Sequence, residues 1–146
     1  MDFTADKLIR RKPIVIDSNA TVKDAVNLMA KENIGLVVIV NAQGDPVGVI
    51  SERDVIRALA QGKNLNSKVT EVGTVGKLIT VKPSDSIYKV ALLMNDHGIR
   101  HVLVVNNEGK LQGVISIRDI ISEQRVISRL AEVAEAKPSE EIRGGD

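Results

Sequence analysis

The sequence predicts a mixed α/β fold, of the α+β kind, in which two β-α-β-β-α repeats pack through their sheets with pseudo-twofold symmetry. The first observation is an internal repeat, because residues 15–57 align without a gap on residues 80–122 at a constant offset of 65. The second is a shared motif, since residues 48–54 and 113–119 both have the pattern Gly-Val-Ile-Ser-x-Arg-Asp. Such a period indicates two copies of one supersecondary unit, each too small to close a core alone.

The first copy has the pattern of a strand, a helix, two strands and a second helix. Thr21 is suited to cap the first helix, whose apolar residues recur at i, i+3, i+4 and i+7. Residues 36–40 are apolar and rich in β-branched side chains, which is typical of a strand covered on both faces. Ser51 follows the third strand and opens the second helix. The elements are expected at residues 14–16, 21–32, 36–40, 47–50 and 51–60.

The second copy repeats each of these elements, with Ser86 as the cap of its first helix. They are expected at residues 79–81, 86–98, 101–105 and 111–115, followed by a helix that runs from Ser116 to about Ala136. Residues 62–76 are rich in small polar residues, so we expect a connector with little structure of its own. The expected organisation is an N-terminal segment at 1–11, repeat one at 12–61, the connector, repeat two at 77–125, and a C-terminal helix extension with a disordered tail at 126–146.

Composition limits the class of protein. The 146 residues carry a formal net charge of +1, which gives no overall attraction to nucleic acid or membranes. Cys is absent, so disulfides and thiolate metal sites are excluded. Phe3 and Tyr88 are the whole aromatic content, too little for base stacking. The first residues lack the pattern of a signal peptide, and the longest apolar run, 36–40, is far too short to span a membrane. We therefore expect a soluble, cytoplasmic protein.

The repeated Ser-x-x-Asp pattern has a structural explanation, because a Ser cap and an acid three residues later form a variant of the capping box. That explanation does not cover the preceding glycine or the repeated Arg. Glycine permits the close approach of a ligand or another chain, and free N–H groups at a helix start attract phosphate. A carboxylate there can also accept hydrogen bonds from the vicinal diol of a ribose. The motif is therefore chemically suited to a nucleotide.

The duplicated unit, with Gly-hydrophobic-hydrophobic-Ser-x-x-Asp after its third strand, resembles a tandem pair of CBS domains. This pair is the Bateman module found as a regulatory insert in IMP dehydrogenase and in the AMP-activated kinase gamma subunit. The resemblance covers the chain from about Lys12 to the middle of the last helix. It implies a stand-alone CBS domain protein that binds an adenine nucleotide in the cleft between the repeats. AMP, ADP, ATP, an adenosyl-sulfur compound and a dinucleotide all stay open as the ligand.

The resemblance also implies the ligand-binding residues. The Ser and Asp of each motif would hold the ribose, the opening of each first strand would contact the adenine, and basic residues at the opening of each second strand would reach the phosphates. In copy two the candidates are Lys77, Thr80, Val81, Ile99, Arg100, His101, Ser116, Arg118 and Asp119. In copy one they are Lys12, Val15, Ile16, Ile34, Leu36, Ser51, Arg53 and Asp54.

The two candidate sites differ at one place. Copy one has Gly35 and Leu36 where copy two has Arg100 and His101, so its site is expected to be weaker or to take a less charged ligand. The arginines of the motifs also have a simpler interpretation as surface residues, and Arg100 as a charge on an edge strand.

Two other motifs do not support alternative chemistry. Residues 73–78 resemble a P-loop, but the glycines are too close together and no Ser or Thr follows Lys77. His97 and His101 are four residues apart, but Gly98 and a change from helix to strand lie between them, so they do not share a helical face for a metal. We find no catalytic constellation and expect no enzyme, no metal and no cofactor, the nucleotide being a regulatory ligand.

Three functions follow from these observations. The leading hypothesis is a ligand sensor whose output lies in an unidentified effector protein. The second is a dimerising interaction scaffold without a ligand. The third is a nucleic-acid-binding accessory protein that uses the basic residues between Lys7 and Lys12, against which the charge and aromatic content argue. Because Ile127, Leu130 and Ala134 extend the apolar stripe of the last helix beyond its own repeat, we also expect a homodimer formed through that helix.

Overall fold

The computed structural model describes residues 3–136. A 3-10 helix at Ala5–Leu8 precedes repeat one, which consists of β1 (Val15–Asp17), α1 (Val22–Glu32), β2 (Leu36–Val40), β3 (Pro46–Ser51) and α2 (Glu52–Ala60). The connector contains α3 (Val69–Val72) and β4 (Thr74–Val75). Repeat two consists of β5 (Thr80–Val81), α4 (Ile87–His97), β6 (His101–Val105), β7 (Leu111–Ser116) and α5 (Ile117–Ser122), and α6 (Gln124–Ala136) follows it. The mixed fold with two β-α-β-β-α repeats is confirmed.

The helices begin where the sequence places their caps. Each N-cap side chain accepts a hydrogen bond from the backbone N–H three residues later, at Thr21, Ser51, Ser86 and Ser116. Three of these starts are complete capping boxes, in which an Asp three residues on also accepts from the N-cap N–H. α1 and α4 end at left-handed residues, Asn33 and Gly98. Local sequence therefore determines the ends of these elements.

The two sheets have the same pairing and register. In repeat one β1 is parallel to β2, and β2 is antiparallel to β3. In repeat two β5 is parallel to β6, and β6 is antiparallel to β7. The second strand of each repeat opens opposite the Ser of the motif, so Leu36 pairs with Ser51 and His101 pairs with Ser116. This register fixes the residues that surround each motif.

The core has three parts, which follow from the alternation of side chains along the central strands. Val37 and Ile39 of β2 pack against the helices of repeat one, and Val102 and Val104 of β6 pack against those of repeat two. The alternate side chains form a third cluster between the sheets, made of Val38, Val40 and Leu103 with partly buried Leu36, Val49, Leu78, Leu111 and Val114. The two sheets therefore share one apolar layer, and each repeat has a further apolar cluster between its sheet and its helices.

The connector is more structured than expected. Val69 of α3 is fully buried in the core of repeat one, and Val22 N–H donates to the Ser67 carbonyl at 2.8 Å. The 3-10 helix that precedes repeat one behaves in the same way toward repeat two, because Leu8 is fully buried there and Ile87 N–H donates to the Phe3 carbonyl at 3.0 Å. The segment leading into each repeat thus packs on the other repeat.

The final helix is also different from its prediction. α5 ends at Ser122, Glu123 has an extended backbone, and α6 begins at Gln124, so there is no single helix from Ser116 to Ala136. Ile120 is buried, whereas Leu130 and Ala134 are exposed on α6. The side chain of Ile127 and the predicted tail after Ala136 lie outside what the structure describes. Within residues 3–136, the length and apolar character needed to cross a membrane are not combined in any helix.

Candidate ligand clefts

Two clefts of similar size lie between the repeats, and each contains one copy of the Ser-x-x-Asp motif. The first has a volume of about 310 Å³ and the second about 300 Å³, which is at the lower end for small-molecule sites. The first is lined by Gly35, Leu36, Val49, Ser51, Glu52, Arg53, Asp54, Arg57, Thr74, Lys77, Leu78, Ile79, Gly98, Ile99, Arg100, His101 and Leu103. The second is lined by Arg10, Arg11, Lys12, Pro13, Ile14, Asn33, Ile34, Gly35, Leu36, Glu52, Arg100, His101, Val114, Ser116, Ile117, Arg118 and Asp119.

In each motif, one carboxylate oxygen of the Asp accepts a hydrogen bond from the N-cap N–H, and the other oxygen faces an arginine. Asp54 Oδ2 accepts from Ser51 N–H at 2.9 Å, and Asp119 Oδ2 accepts from Ser116 N–H at 2.8 Å. Asp54 Oδ1 lies 4.0 Å from Nη1 of Arg57, on the next turn of the same helix. Asp119 Oδ1 lies 3.5 Å from Nε of Arg10, which belongs to the N-terminal segment. The Oδ1 atoms are therefore the acceptors left for a ligand hydroxyl.

The lysine before the first strand of each repeat lines the cleft that contains the motif of the other repeat. Lys77 precedes the first strand of repeat two but lines the cleft of Asp54, and Lys12 precedes that of repeat one but lines the cleft of Asp119. The sequence placed both lysines near the phosphates without assigning either to a motif, and each lysine lines the cleft that contains the motif of the other repeat. Each cleft combines a helix start from one repeat with the strand opening of the other.

The openings of β2 and β6 form a floor common to both clefts, to which Gly35, Leu36, Glu52, Arg100 and His101 all contribute. This arrangement corrects the expectation that the copy-one cleft lacks the basic pair, because Arg100 and His101 line it as well. Burial lowers the pKa of His101 below 6.5, opposed by the charges of Asp119 and Glu52 and reinforced by Arg100.

Several candidate residues lie outside the clefts. Val81 and Ile16 are buried in the cores of their own repeats, and Thr80 and Val15 are exposed. The expected adenine contacts at these four positions are therefore not formed by the linings of either cleft. The remaining candidates, Ile99, Ile34, Arg53 and Arg118 among them, do line a cleft. Sequence reasoning missed Arg10, Arg11, Glu52, Arg57 and Thr74, and the charge of the N-terminal segment was the one signal for the first two.

The glycine of each motif faces the protein itself. A Cβ on Gly48 would lie 2.5 Å from the backbone oxygen of Thr74 in β4, and one on Gly113 would lie 2.8 Å from side-chain atoms of Ile9. Close approach is therefore required, as the sequence predicts, but by another part of the chain. The absence of a Cβ at these positions needs no ligand to explain it.

Cations outnumber acids in both clefts. The first has Arg53, Arg57, Lys77 and Arg100 against Glu52 and Asp54. The second has Arg10, Arg11, Lys12, Arg100 and Arg118 against Glu52 and Asp119. In residues 3–136 no three His, Cys, Asp or Glu side chains are grouped closely enough to hold a metal ion. Each cleft thus offers an acceptor for hydroxyl groups and a positive surround for an anion.

Comparison with known proteins identifies solved structures that share this fold. A CBS domain protein from Pyrobaculum aerophilum, PAE2072, complexed with AMP, is 36% identical with a TM-score of 0.82, over 89% of this chain and 99% of that one. The CBS domain pair of protein MJ0100, in complex with 5′-methylthioadenosine and S-adenosyl-L-methionine, is 28% identical with a TM-score of 0.76, over 92% of this chain and 99% of that one.

A sequence relative from Methanopyrus kandleri, uncharacterized protein MK0525, is 32% identical over 93% of this chain and 70% of its own length. The CBS domain family model matches this chain twice, at residues 5–61 and 69–125. Both matches include a β-α-β-β-α repeat with its motif, and together they cover most of the sequence. The chain therefore belongs to the CBS domain family, as a tandem pair.

Proposed function

We propose that this protein is a regulatory module, rather than an enzyme, that binds an adenine nucleotide or a related adenosyl compound between its CBS repeats and signals to a separate effector protein. The observation that carries the proposal is the position of the two Ser-x-x-Asp helix starts, each of which opens into a cleft with basic side chains from both repeats. The ligands of PAE2072 and MJ0100 are adenosyl compounds, which supports the same class here. The absence of Cys fits a reducing compartment such as the cytoplasm.

The chemistry of the clefts suits a ribose phosphate. Oδ1 of Asp54 or Asp119, which is not used by the capping box, can accept hydrogen bonds from a ribose diol once the neighbouring arginine moves aside. A phosphate would be attracted by Arg100 on the common floor, together with Lys77 in the first cleft or Lys12 in the second. The apolar linings Leu78, Ile79 and Ile99 in the first cleft, and Ile14 and Ile34 in the second, are suited to an adenine ring.

Thermal unfolding with AMP, ADP, ATP, methylthioadenosine and S-adenosylmethionine tests the proposal. A ligand that binds the folded state alone stabilises it by about 2.7 kcal/mol at 100 times its Kd, which corresponds to roughly 5–10 °C for a chain of this length. No shift with any of the five compounds at millimolar concentration would rule out the sensor and favour the interaction scaffold.

A third capping box provides a matched control. Thr21 and Asp24 form the same box at the start of α1, at a helix end that lines neither cleft. Asp54→Ala and Asp119→Ala should each remove binding in one cleft, and the double variant should abolish the ligand-dependent shift. Asp24→Ala loses a capping box and should keep that shift. If Asp24→Ala also lost the ligand-dependent shift, the losses in the other variants would be due to impaired folding and not to a missing ligand contact.

We also propose that the protein forms a homodimer in which α6 participates. Leu130 and Val133 are 60% and 46% exposed on this helix, and apolar surface in water favours association by about 25 cal/mol per Å² buried. Sedimentation of the full chain and of a truncation after Glu123 tests this assembly. A dimeric full chain and a monomeric truncation are expected, and a truncation that dimerises equally well would remove α6 from the interface.

A further inference from the structure

Residues 9–11 form a strap that joins the two repeats beside the second cleft. Ile9 is packed on Gly113 of repeat two so closely that a Cβ there would lie 2.8 Å from it. Arg11 Nη1 donates to the Glu32 carbonyl of repeat one at 3.1 Å and lies 3.9 Å from Glu32 Oε2. The strap is therefore anchored on both sides, and Arg10 lies between the two anchors.

Arg10 occupies the acceptor that a ligand would need. Its Nε lies 3.5 Å from Asp119 Oδ1, while Asp119 Oδ2 is already engaged in the capping box. The two side chains are 52% and 22% exposed, so the pair lies at the surface of the cleft and can be displaced. The first cleft is built differently, because Asp54 faces Arg57 of its own helix and is reached by no residue of the strap.

We propose that Arg10 makes the Asp119 cleft selective for phosphate-bearing nucleosides over neutral ones, an inference that rests on the proposed function of this cleft. A neutral nucleoside must separate Arg10 from Asp119 before its ribose diol can bind, and it offers the guanidinium no anion in return. A nucleotide separates the same pair but supplies a phosphate, which a guanidinium binds through two parallel hydrogen bonds. The anchors at Ile9 and Arg11 keep the released Arg10 at the edge of the cleft.

Calorimetric titration with AMP and with adenosine tests the inference. Both ligands are titrated into full-length Asp54→Ala, in which the Asp119 cleft is the one left to bind, and into Asp54→Ala combined with Arg10→Ala. Loss of Arg10 should weaken AMP about 10- to 100-fold, because a charged hydrogen-bond donor is removed. It should strengthen adenosine by up to about fivefold, because a surface ion pair no longer competes. The opposite signs distinguish selectivity from a general loss of binding.

A second arginine supplies the control. Arg129 Nη1 lies 3.5 Å from Glu132 Oε2 on α6, outside both clefts, so Arg129→Ala removes the same charge and a similar ion pair. Both affinities should stay the same in that variant. Arg10→Ala with an unchanged ratio of AMP to adenosine affinity would overturn the inference and leave the proposed function intact. A wild-type chain that binds neither AMP nor adenosine would overturn the inference, and the proposed function would fall with it only if ADP, ATP, methylthioadenosine and S-adenosylmethionine also failed to bind.

Discussion

The two repeats carry the same glycine before the same capping box, but the chain covers the two glycines differently. β4 pairs with β3 so that Val75 lies opposite Gly48, which adds a fourth strand to the first sheet. Gly113 lies under the side chain of Ile9, and the second sheet has three strands in the described part of the chain. In both cases the covering segment leads into the other repeat. The repeated glycine therefore makes room for this exchange of segments between the repeats.

The exchange also explains how the clefts acquire their cations. β4 is followed closely by Lys77, which brings that lysine to Asp54, and Ile9 is followed by Arg10, which faces Asp119. A segment that crosses to the other repeat thus delivers a basic residue to that repeat's motif. The two clefts are equivalent in plan but differ in the residue that meets the carboxylate, which is Arg57 for Asp54 and Arg10 for Asp119.

The largest expected effect distinguishes the two glycines. Gly48→Ala places a methyl group against the Thr74 backbone oxygen, which cannot move without breaking the β3–β4 pairing, so we expect a loss of about 2–3 kcal/mol. Gly113→Ala meets side-chain atoms of Ile9, which lies in no strand and can shift without breaking a strand pairing, so a smaller loss of about 1 kcal/mol is expected. Urea unfolding of the two variants measures the difference.

A compensating substitution sharpens this comparison. Ile9→Ala removes the atoms that a Cβ on Gly113 would meet, so Gly113→Ala should cost less in that background than in the wild type. In the Ile9→Ala background the cost of Gly48→Ala should be unchanged, because Ile9 covers Gly113 and not Gly48. Equal costs for the two glycines in the wild-type chain would contradict the distinction between backbone and side-chain contact.

Features that depend on local sequence were predicted, whereas the cleft residues supplied by the segments that cross between the repeats were missed. The capping residues and the positions of β2 and β6, which are covered on both faces, depend on neighbours in sequence, and the structure has them where they were expected. Membership of a cleft depends on which segment crosses to the other repeat. The crossing segments share only two polar residues between two apolar ones, since Ala5–Leu8 and Val69–Val72 have no identical residue in common. Nothing in the sequence therefore marked Thr74 as a cleft residue, and the positive charge of the N-terminal segment was the one signal for Arg10.

A smaller effect concerns the histidine that lines both clefts. His101 occupies the place of Leu36, and burial lowers its pKa in the folded state below 6.5. The unfolded chain then binds more protons as the pH falls through that region, so stability should decrease from pH 7.5 to pH 5.5. The pKa values of Asp24 and Asp85 are lowered from 3.8, so these groups affect stability at pH values well below the range from 7.5 to 5.5.

His101→Leu gives copy two the residue of copy one and should flatten this pH dependence. The measurement is the free energy of unfolding in urea at both pH values, for the wild type and the variant. A variant that loses as much stability as the wild type between pH 7.5 and 5.5 would show that another group controls the response.

The smallest effect lies where the two repeats meet at equivalent positions. Asp45 and Lys110 are related by the offset of the repeat, and Lys110 Nζ lies 2.9 Å from Asp45 Oδ1. Because corresponding positions of two repeats face each other there, identical charges would repel, and the opposite charges remove that repulsion. Both side chains are largely exposed, so Lys110→Asp should cost about 0.5–1 kcal/mol. The exchange Asp45→Lys with Lys110→Asp should restore most of that loss, because pseudo-twofold symmetry lets each residue take the other's place. A double-mutant cycle by urea unfolding measures the coupling, and an exchanged variant no more stable than Lys110→Asp alone would show that the two turns are not equivalent.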